Sequence, residues 1–208
     1  ARNQLVALSN GTQRTEYSYD GSGRQARARV LELGVETSDS RLIWCGGAVC
    51  ENRSDESIAR FYTNAVERNG TYYEARDHLT SVRSITDASG TSVAALEYSP
   101  YGSRMTVASD STAGYRFSGL WDSGLGGIDA ALYRAYDTQL GRWISEDPIG
   151  LAGGVNLYVY SVNAPLNSID PVGLRPGPVS PWGADKSACA YYQQKCQDST
   201  CGNRDEYA

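Results

Sequence analysis

The sequence has little histidine, methionine or lysine, and it has no long apolar run. With one histidine in 208 residues, a catalytic triad or metal site built on His78 is not expected. No apolar run approaches the roughly 18 residues that a membrane-spanning helix needs. Acidic residues outnumber basic ones by 24 to 19, which argues against a nucleic-acid-binding protein. Neither a Gly-x-Ser-x-Gly elbow nor a phosphate-binding P-loop is present.

The two ends of the sequence differ from its middle. The first residues lack the charged region, apolar core and cleavage site of a signal peptide, and they run straight into a strand pattern. We therefore expect a segment of a longer chain. Both lysines and three of the five cysteines lie within the last 25 residues, at Lys186, Lys195, Cys189, Cys196 and Cys201. This shift predicts that the tail is a separate unit.

The middle of the chain is rich in tyrosine and glycine, with 15 Tyr and 22 Gly. Tyrosine suits half-buried strands, and glycine suits frequent turns. Alternating residues flank turns at residues 20–23, 46–47 and 87–90, which is typical of β-hairpins. The patterns "YSYDGSGR" and "YRAYDTQLGR" repeat one plan, which favours a sheet built from stacked units. An ordinary β-sandwich remains the alternative.

Four segments resemble the Rhs/YD-repeat family: "YSYDGSGRQARARV", "RDHLTSVRSITDASGT", "EYSPYGS" and "YRAYDTQLGRWISEDPIGLAGGVNLYVYSVNAPLNSIDPVGL". The last is similar to the Rhs-repeat-associated core that closes such proteins, and the resemblance covers nearly all of residues 1–174. Two positions depart from the family. Thr80 stands where the family usually has Gly, and Thr138 where it usually has Pro. Both lie in predicted turns, so we expect no functional consequence.

The resemblance implies an all-β fold, in which YD-repeat hairpins form part of a curled sheet that encloses a variable C-terminal toxin. Residues 1–132 would be shell and residues 133–174 the core and self-cleavage segment. Residues 175–208 would be a linker, with an irregular or helical tail that begins the toxin. The implied partners are the remaining shell, the toxin, an immunity protein and a secretion-system carrier, without nucleic acid, membrane span or cofactor. The implied location is that of a secreted or delivered bacterial effector, cytoplasmic before export.

The family cuts its own chain after the leucine of an Asp-Pro-x-Gly-Leu motif, here between Leu174 and Arg175. The longer pattern Pro-x-x-x-x-Asp-Pro-x-Gly-Leu is matched at Pro165, Asp170, Pro171, Gly173 and Leu174. The change in composition falls at the same place. Asp-Pro-x-Gly is also a common turn, in which the aspartate caps the backbone and has no catalytic role. A purely structural or adhesive YD-repeat fragment, with carbohydrate contact through exposed tyrosines, is therefore the alternative function.

Two carboxylates, Asp170 and Asp147, could hydrolyse the bond as an aspartic protease does. Close like charges share one proton, so that one carboxylate activates water while the protonated partner polarises the carbonyl. A guanidinium nearby could hold one carboxylate ionised or stabilise an oxyanion. Arg142 and Arg134 are both candidates for that role. No metal site is predicted.

The cysteines and tryptophans are given structural roles. Cys45 and Cys50 flank the Gly46-Gly47 turn and, as a diagonal pair, would have Cα atoms about 7–8 Å apart. That distance predicts reduced thiols. Trp44, Trp121 and Trp143 are predicted to anchor the core or line the shell. In the tail, "DKSACAYYQQKCQ" predicts a short helix after a proline-rich linker.

Overall fold

The fold is almost entirely antiparallel β-sheet, as predicted. A computed structural model describes residues 4–105, 114–122, 127–174 and 176–178. Helical structure among these residues is limited to three short 3-10 turns, at Phe117–Gly119, Gly150–Gly153 and Ser161–Asn163. None of the described helices has the length and apolar character needed to traverse a lipid bilayer. The helix expected around Cys189 and Cys196 lies outside the described residues.

The first sheet contains ten strands, each paired with the next along the chain. The strands, β1 to β10, are Ala7–Asn10, Gln13–Tyr19, Gln25–Glu32, Val35–Cys45, Ala48–Ser54, Ile58–Phe61, Ala65–Glu67, Thr71–Arg76, Val82–Asp87 and Ser92–Ala95. The predicted turns at residues 20–23, 46–47 and 87–90 join neighbouring strands of this sheet. The sheet is open, with β1 and β10 at its edges. It is also uncurled, which departs from the curled sheet that the resemblance implied.

The two faces of this sheet differ in charge. On one face, ion pairs join neighbouring strands, including Arg27–Asp39 at 2.6 Å and Arg29–Glu36 at 2.5 Å. On the other face lie buried residues such as Leu42 and Val49, which pack with Trp121 of the second sheet. Because side chains alternate across a strand, this division follows directly from the polar and apolar alternation of the sequence.

Aspartates close several of the turns in the same way. Oδ1 of Asp20 accepts the N–H groups of Ser22 and Arg24, each at 2.9 Å. Asp77, Asp87 and Asp137 each accept two backbone N–H groups through Oδ1 as well. In the first case, Oδ2 of Asp20 also contacts Nε of Arg24 at 2.8 Å. The repeated Tyr-Asp motif is thus a turn in which the carboxylate replaces missing backbone partners.

The remaining strands form two small sheets that lie close to the Asp-Pro-x-Gly-Leu motif. The second sheet contains β11 (Trp121–Asp122), β12 (Ile128–Ala130), β13 (Ala135–Asp137) and β14 (Arg142–Trp143). The third pairs β15 (Ser168–Ile169) with β16 (Gly177–Pro178). A cluster of buried side chains supports this region and consists of Phe117, Leu120, Tyr136, Trp143 and Tyr160. Trp121 and Trp143 are buried, as predicted for core anchors.

The prediction for the cysteines near the Gly46-Gly47 turn was wrong. Cys45 and Cys50 form a disulfide, and their Cα atoms are 5.6 Å apart. The pairing of β4 with β5 shifts between Ile43 and Trp44, so Cys50 is an extra residue in a β-bulge. A bulge contracts the strand locally. It brings the two Cα atoms inside the range that a disulfide allows, which regular pairing does not.

Thr80 occupies a strained backbone position. Its φ is 64°, in the left-handed region that glycine adopts without cost and a β-branched residue rarely adopts. The turn is nevertheless formed, because Asp77 accepts the Thr80 N–H at 2.9 Å through its carbonyl. The departure from the family at this position therefore has a structural cost.

Candidate functional site

The candidate site is built around the side chain of Arg134, in the short connection between β12 and β13. This guanidinium is nearly excluded from solvent, with 2% of its side chain exposed. Nε donates to the carbonyl of Gly173 at 2.6 Å, and Nη1 donates to the carbonyl of Leu157 at 3.1 Å. The guanidinium also lies over the ring of Trp143, 4.4 Å from its centroid. Two backbone carbonyls and one aromatic face therefore fix its orientation.

The two aspartates predicted from the sequence meet at this guanidinium. Nη2 of Arg134 lies 3.0 Å from Oδ2 of Asp147 and 3.3 Å from Oδ2 of Asp170. The side chains of Asp147 and Asp170 are 6% and 1% exposed. Both carboxylates thus share one buried cation, although one comes from the loop after β14 and the other follows β15.

Asp170 also closes the turn of the Asp-Pro-x-Gly-Leu motif. Its Oδ1 accepts the N–H groups of Gly173 at 2.8 Å and Leu174 at 3.1 Å. Gly173 has a φ of 76°, and a Cβ there would lie 3.0 Å from Cβ of Ala131 and 3.2 Å from the backbone nitrogen of Arg134. Glycine is thus required both for the turn and for its close approach to the arginine. The turn holds Leu174 against the carboxylate.

Asp147 is held by the loop that surrounds it. Its Oδ1 accepts the N–H of Ile149 at 3.0 Å, which leaves Oδ2 for Arg134. The Asp147 N–H donates at 3.1 Å to the carbonyl of Leu157, which also accepts from Arg134. Gly153 packs directly behind the carboxylate, since a Cβ there would lie 2.5 Å from Oδ2. The position of this oxygen therefore depends on the absence of a side chain at residue 153.

The burial and charges of the site favour a proton on Asp170. Two ionised carboxylates and one guanidinium would leave a net charge of −1 in a region without solvent. Burial raises the pKa of Asp170 to about 6, and the negative charge of Asp147 adds to the rise, against the opposing effects of Arg134 and of the Leu174 and Gly173 N–H groups. Asp170 therefore keeps a proton at a higher pH than a solvent-exposed aspartate does.

The structure separates the two candidate arginines by position. Arg134 contacts both carboxylates, whereas Arg142 lies exposed in β14 and forms none of the ion pairs of this cluster in the described part of the chain. Leu174 is 5% exposed beside Asp170, and Arg175 lies outside the described residues. Pro171 follows Asp170 in the turn, and Pro165 is buried one turn earlier. The His78 ring lies 3.2 Å from the carbonyl of Leu166 in the same segment, and does not contact the carboxylates.

Several residues that contact Arg134 or Asp147 in this site were not predicted from the sequence as site residues. Leu157 acts through its backbone carbonyl, which carries no side-chain signal. Trp143 was predicted to lie in the core and also supports the guanidinium. Gly153 is part of a Gly-Gly pair, which could have indicated a close approach. Within the described ranges, no group of His, Cys, Asp and Glu side chains is arranged to hold a metal ion.

Comparison with known proteins gives one matching family and several partial relatives. The model of the family described as "Teneurin YD-shell" matches residues 62–166. The "Double-stranded DNA deaminase toxin A" of Burkholderia cenocepacia is 34% identical over 202 aligned residues, covering 79% of this chain and 14% of that protein. The "Probable deoxyribonuclease RhsB" of Dickeya dadantii is 31% identical over 195 residues, covering 84% of this chain and 13% of that protein.

The fold also matches solved structures. A crystal structure of TcdB2–TccC3 with Cdc42 aligns with a TM-score of 0.63 and 22% identity, covering 82% of this chain and 9% of that chain. At this identity the likeness concerns the fold alone. The chain spans about a seventh of the length of the curated relatives described above.

Proposed function

The chain belongs to the YD-shell family, and on that premise we propose that it is the C-terminal shell segment of an Rhs toxin that cuts itself after Leu174. The sequence motifs and the family match to residues 62–166 agree on this membership. The membership supports the assignment of the chain to a shell. The proposal of self-cleavage depends on one observation. Asp147 and Asp170 contact the same buried guanidinium next to Leu174.

The proposed reaction is hydrolysis of the Leu174–Arg175 peptide bond by this acid pair. Asp170, whose pKa burial raises to about 6, holds the shared proton and donates it toward the carbonyl of Leu174. Asp147 accepts a proton from water as the water oxygen attacks the carbonyl carbon. The C–N bond then breaks as Asp147 passes its proton to the leaving nitrogen of Arg175. One hydroxyl of the tetrahedral intermediate returns a proton to Asp170, and Leu174 becomes a carboxylic acid. The overall reaction consumes one water molecule.

Arg134 supports this reaction by position and charge. Its contacts with both Oδ2 atoms compensate one negative charge, so that one carboxylate stays ionised while the other is protonated. Its bond to the Gly173 carbonyl fixes the peptide immediately before Leu174. Oriented groups of this kind favour reaction because little reorganisation is needed at the transition state.

The wider function follows from the family and the relatives. We propose residues 1–132 as shell, residues 133–174 as the core segment and residues 175–208 as the linker and beginning of a C-terminal toxin, which the complete shell encloses. The second sheet crosses the proposed boundary at residue 132, because β12 lies before it and β13 after it. An immunity protein, a secretion-system carrier and delivery into a target cell belong to this proposal. Two relatives are named as toxins or nucleases, and no toxin activity is assigned to this chain.

The alternative is that Asp170 only closes a turn, as Asp137 does. Denatured intact-mass measurement of the purified chain, with Asp170→Asn, Asp147→Asn and Asp137→Asn variants, decides between them. Asparagine keeps an acceptor oxygen for the turn but cannot exchange the proton. We expect wild type and Asp137→Asn to yield a 174-residue piece and the remaining 34 residues, and the other variants to stay whole.

Three outcomes would contradict the proposed function. Wild type that stays whole would favour the structural alternative, and so would cleavage of Asp170→Asn at the wild-type rate. A cut between Asp170 and Pro171 would indicate ordinary acid lability of that bond.

A further inference from the structure

The loop that contains the proposed cleavage bond is closed by a short β-ladder. Ser168 and Ile169 of β15 pair with Pro178 and Gly177 of β16, on opposite sides of the loop. Ser168 and Ile169 are 9% and 3% exposed, so β15 is buried. The Ser168 hydroxyl donates to the carbonyl of Gly177 at 2.9 Å. This side-chain bond connects the chain before the motif with the chain after it.

The sequence of β16 makes that hydroxyl important. Proline has no backbone N–H, so Pro176 and Pro178 cannot donate to a neighbouring strand. Gly177 is therefore the sole residue of the 176–178 segment with a backbone N–H donor. The segment must form most of its backbone hydrogen bonds through carbonyl groups. Ser168 provides a donor to one of these carbonyls. Gly177 also pairs with Ile169 in the ladder, so the hydroxyl adds a side-chain bond to this short backbone pairing.

The two sides of the proposed cleavage bond are held by different groups. On the N-terminal side, Asp170 holds the N–H groups of Gly173 and Leu174, and Arg134 holds the Gly173 carbonyl. On the C-terminal side, Ile169 pairs with Gly177 in the ladder, and the Ser168 hydroxyl adds a bond to the Gly177 carbonyl, three residues beyond Leu174. A peptide bond reacts fastest when both of its sides are fixed relative to the acid and the base.

We propose that Ser168 is a positioning residue for self-cleavage, which fixes the leaving side of the bond through the Gly177 carbonyl. This inference rests on the proposed function and adds a second anchor to it. Ser168 does not touch the carboxylates in any of the hydrogen bonds of the described residues, so it acts on geometry and leaves the ionisation of Asp170 unchanged. The rate should therefore change while the shape of its pH dependence does not.

The experiment compares Ser168→Ala, Ser168→Thr and Ser168→Val in the full chain. Threonine and valine have nearly the same shape and differ in the hydroxyl, so their comparison separates the hydrogen bond from packing. The first-order rate of cleavage is followed by denatured intact mass at several pH values. We expect Ser168→Ala and Ser168→Val to cleave about tenfold more slowly than wild type, the size expected for one lost hydrogen bond. Ser168→Thr should cleave faster than Ser168→Val.

Each other result has a defined meaning. If wild type cleaves and Ser168→Ala cleaves at the same rate, the positioning role is wrong while the proposed function stands. Equal rates for Ser168→Thr and Ser168→Val would refute the role of the hydroxyl. A displaced pH profile in Ser168→Ala would show an effect on ionisation, which also contradicts positioning. If wild type does not cleave, or Asp170→Asn does, the proposed function itself fails.

Discussion

Replacing Arg134 with methionine should destabilise the fold far more than the same change at Arg142. Methionine keeps an unbranched side chain but removes the contacts of Arg134 with Asp147, Asp170 and the carbonyl of Gly173. Removing one partner of a buried ion pair typically costs about 3–5 kcal/mol, because the remaining charge has no compensation. That loss is a large part of the roughly 5–15 kcal/mol by which domains are stable. Arg142 is exposed, so its replacement should change stability by less than about 0.5 kcal/mol.

The comparison is best made in an Asp170→Asn background, where the chain is expected to stay whole. Urea unfolding is followed by tryptophan fluorescence, since Trp143 lies directly under Arg134. Asp147 still loses its partner in this background, so the difference of about 3–5 kcal/mol is retained. An Arg134→Lys variant keeps the charge but not the fork of donors, and should fall between the two. Equal stability of Arg134→Met and Arg142→Met would refute the buried cluster.

Four further predictions test the site and the fold. The cleavage rate should fall as pH rises above about 6, because Asp170 then loses its proton, and a flat rate from pH 5 to 8 would contradict this assignment. The pKa of Asp170 is raised on folding, so its stabilising contribution of at most about 3 kcal/mol is complete below pH 4 and disappears through pH 6. Urea unfolding against pH measures it in Asp147→Asn, which is expected to remain whole and to show a smaller contribution, because it lacks the Asp147 charge that adds to the rise. Gly153→Ala should displace Oδ2 of Asp147 and slow cleavage, whereas Gly21→Ala, where a Cβ meets nothing within 4 Å, should not. Thr80→Gly should raise the free energy of unfolding by about 1 kcal/mol by relieving a φ of 64°, and lower stability would show that the threonine side chain compensates its strain.

Local features of the fold were predictable because they depend on neighbouring residues. The turns at residues 20–23, 46–47 and 87–90 follow from glycine and aspartate between alternating strands. The Cys45–Cys50 disulfide was missed because the bulge at Cys50 depends on packing across the sheet. One extra residue in a strand changes distances that regular pairing predicts well.

The sequence by itself determined the hairpins, the glycine-dependent turn at Gly173 and the candidate carboxylates, because each is expressed within a few residues along the chain. The tertiary structure alone decided that Asp147 and Asp170 meet, and that Arg134 rather than Arg142 lies between them. Arg134 and Asp170 are 36 residues apart, well beyond the reach of any turn. Their contact depends on how the second sheet packs on its aromatic cluster and on the carbonyls that orient the guanidinium. Those are long-range interactions, and local sequence patterns do not specify them.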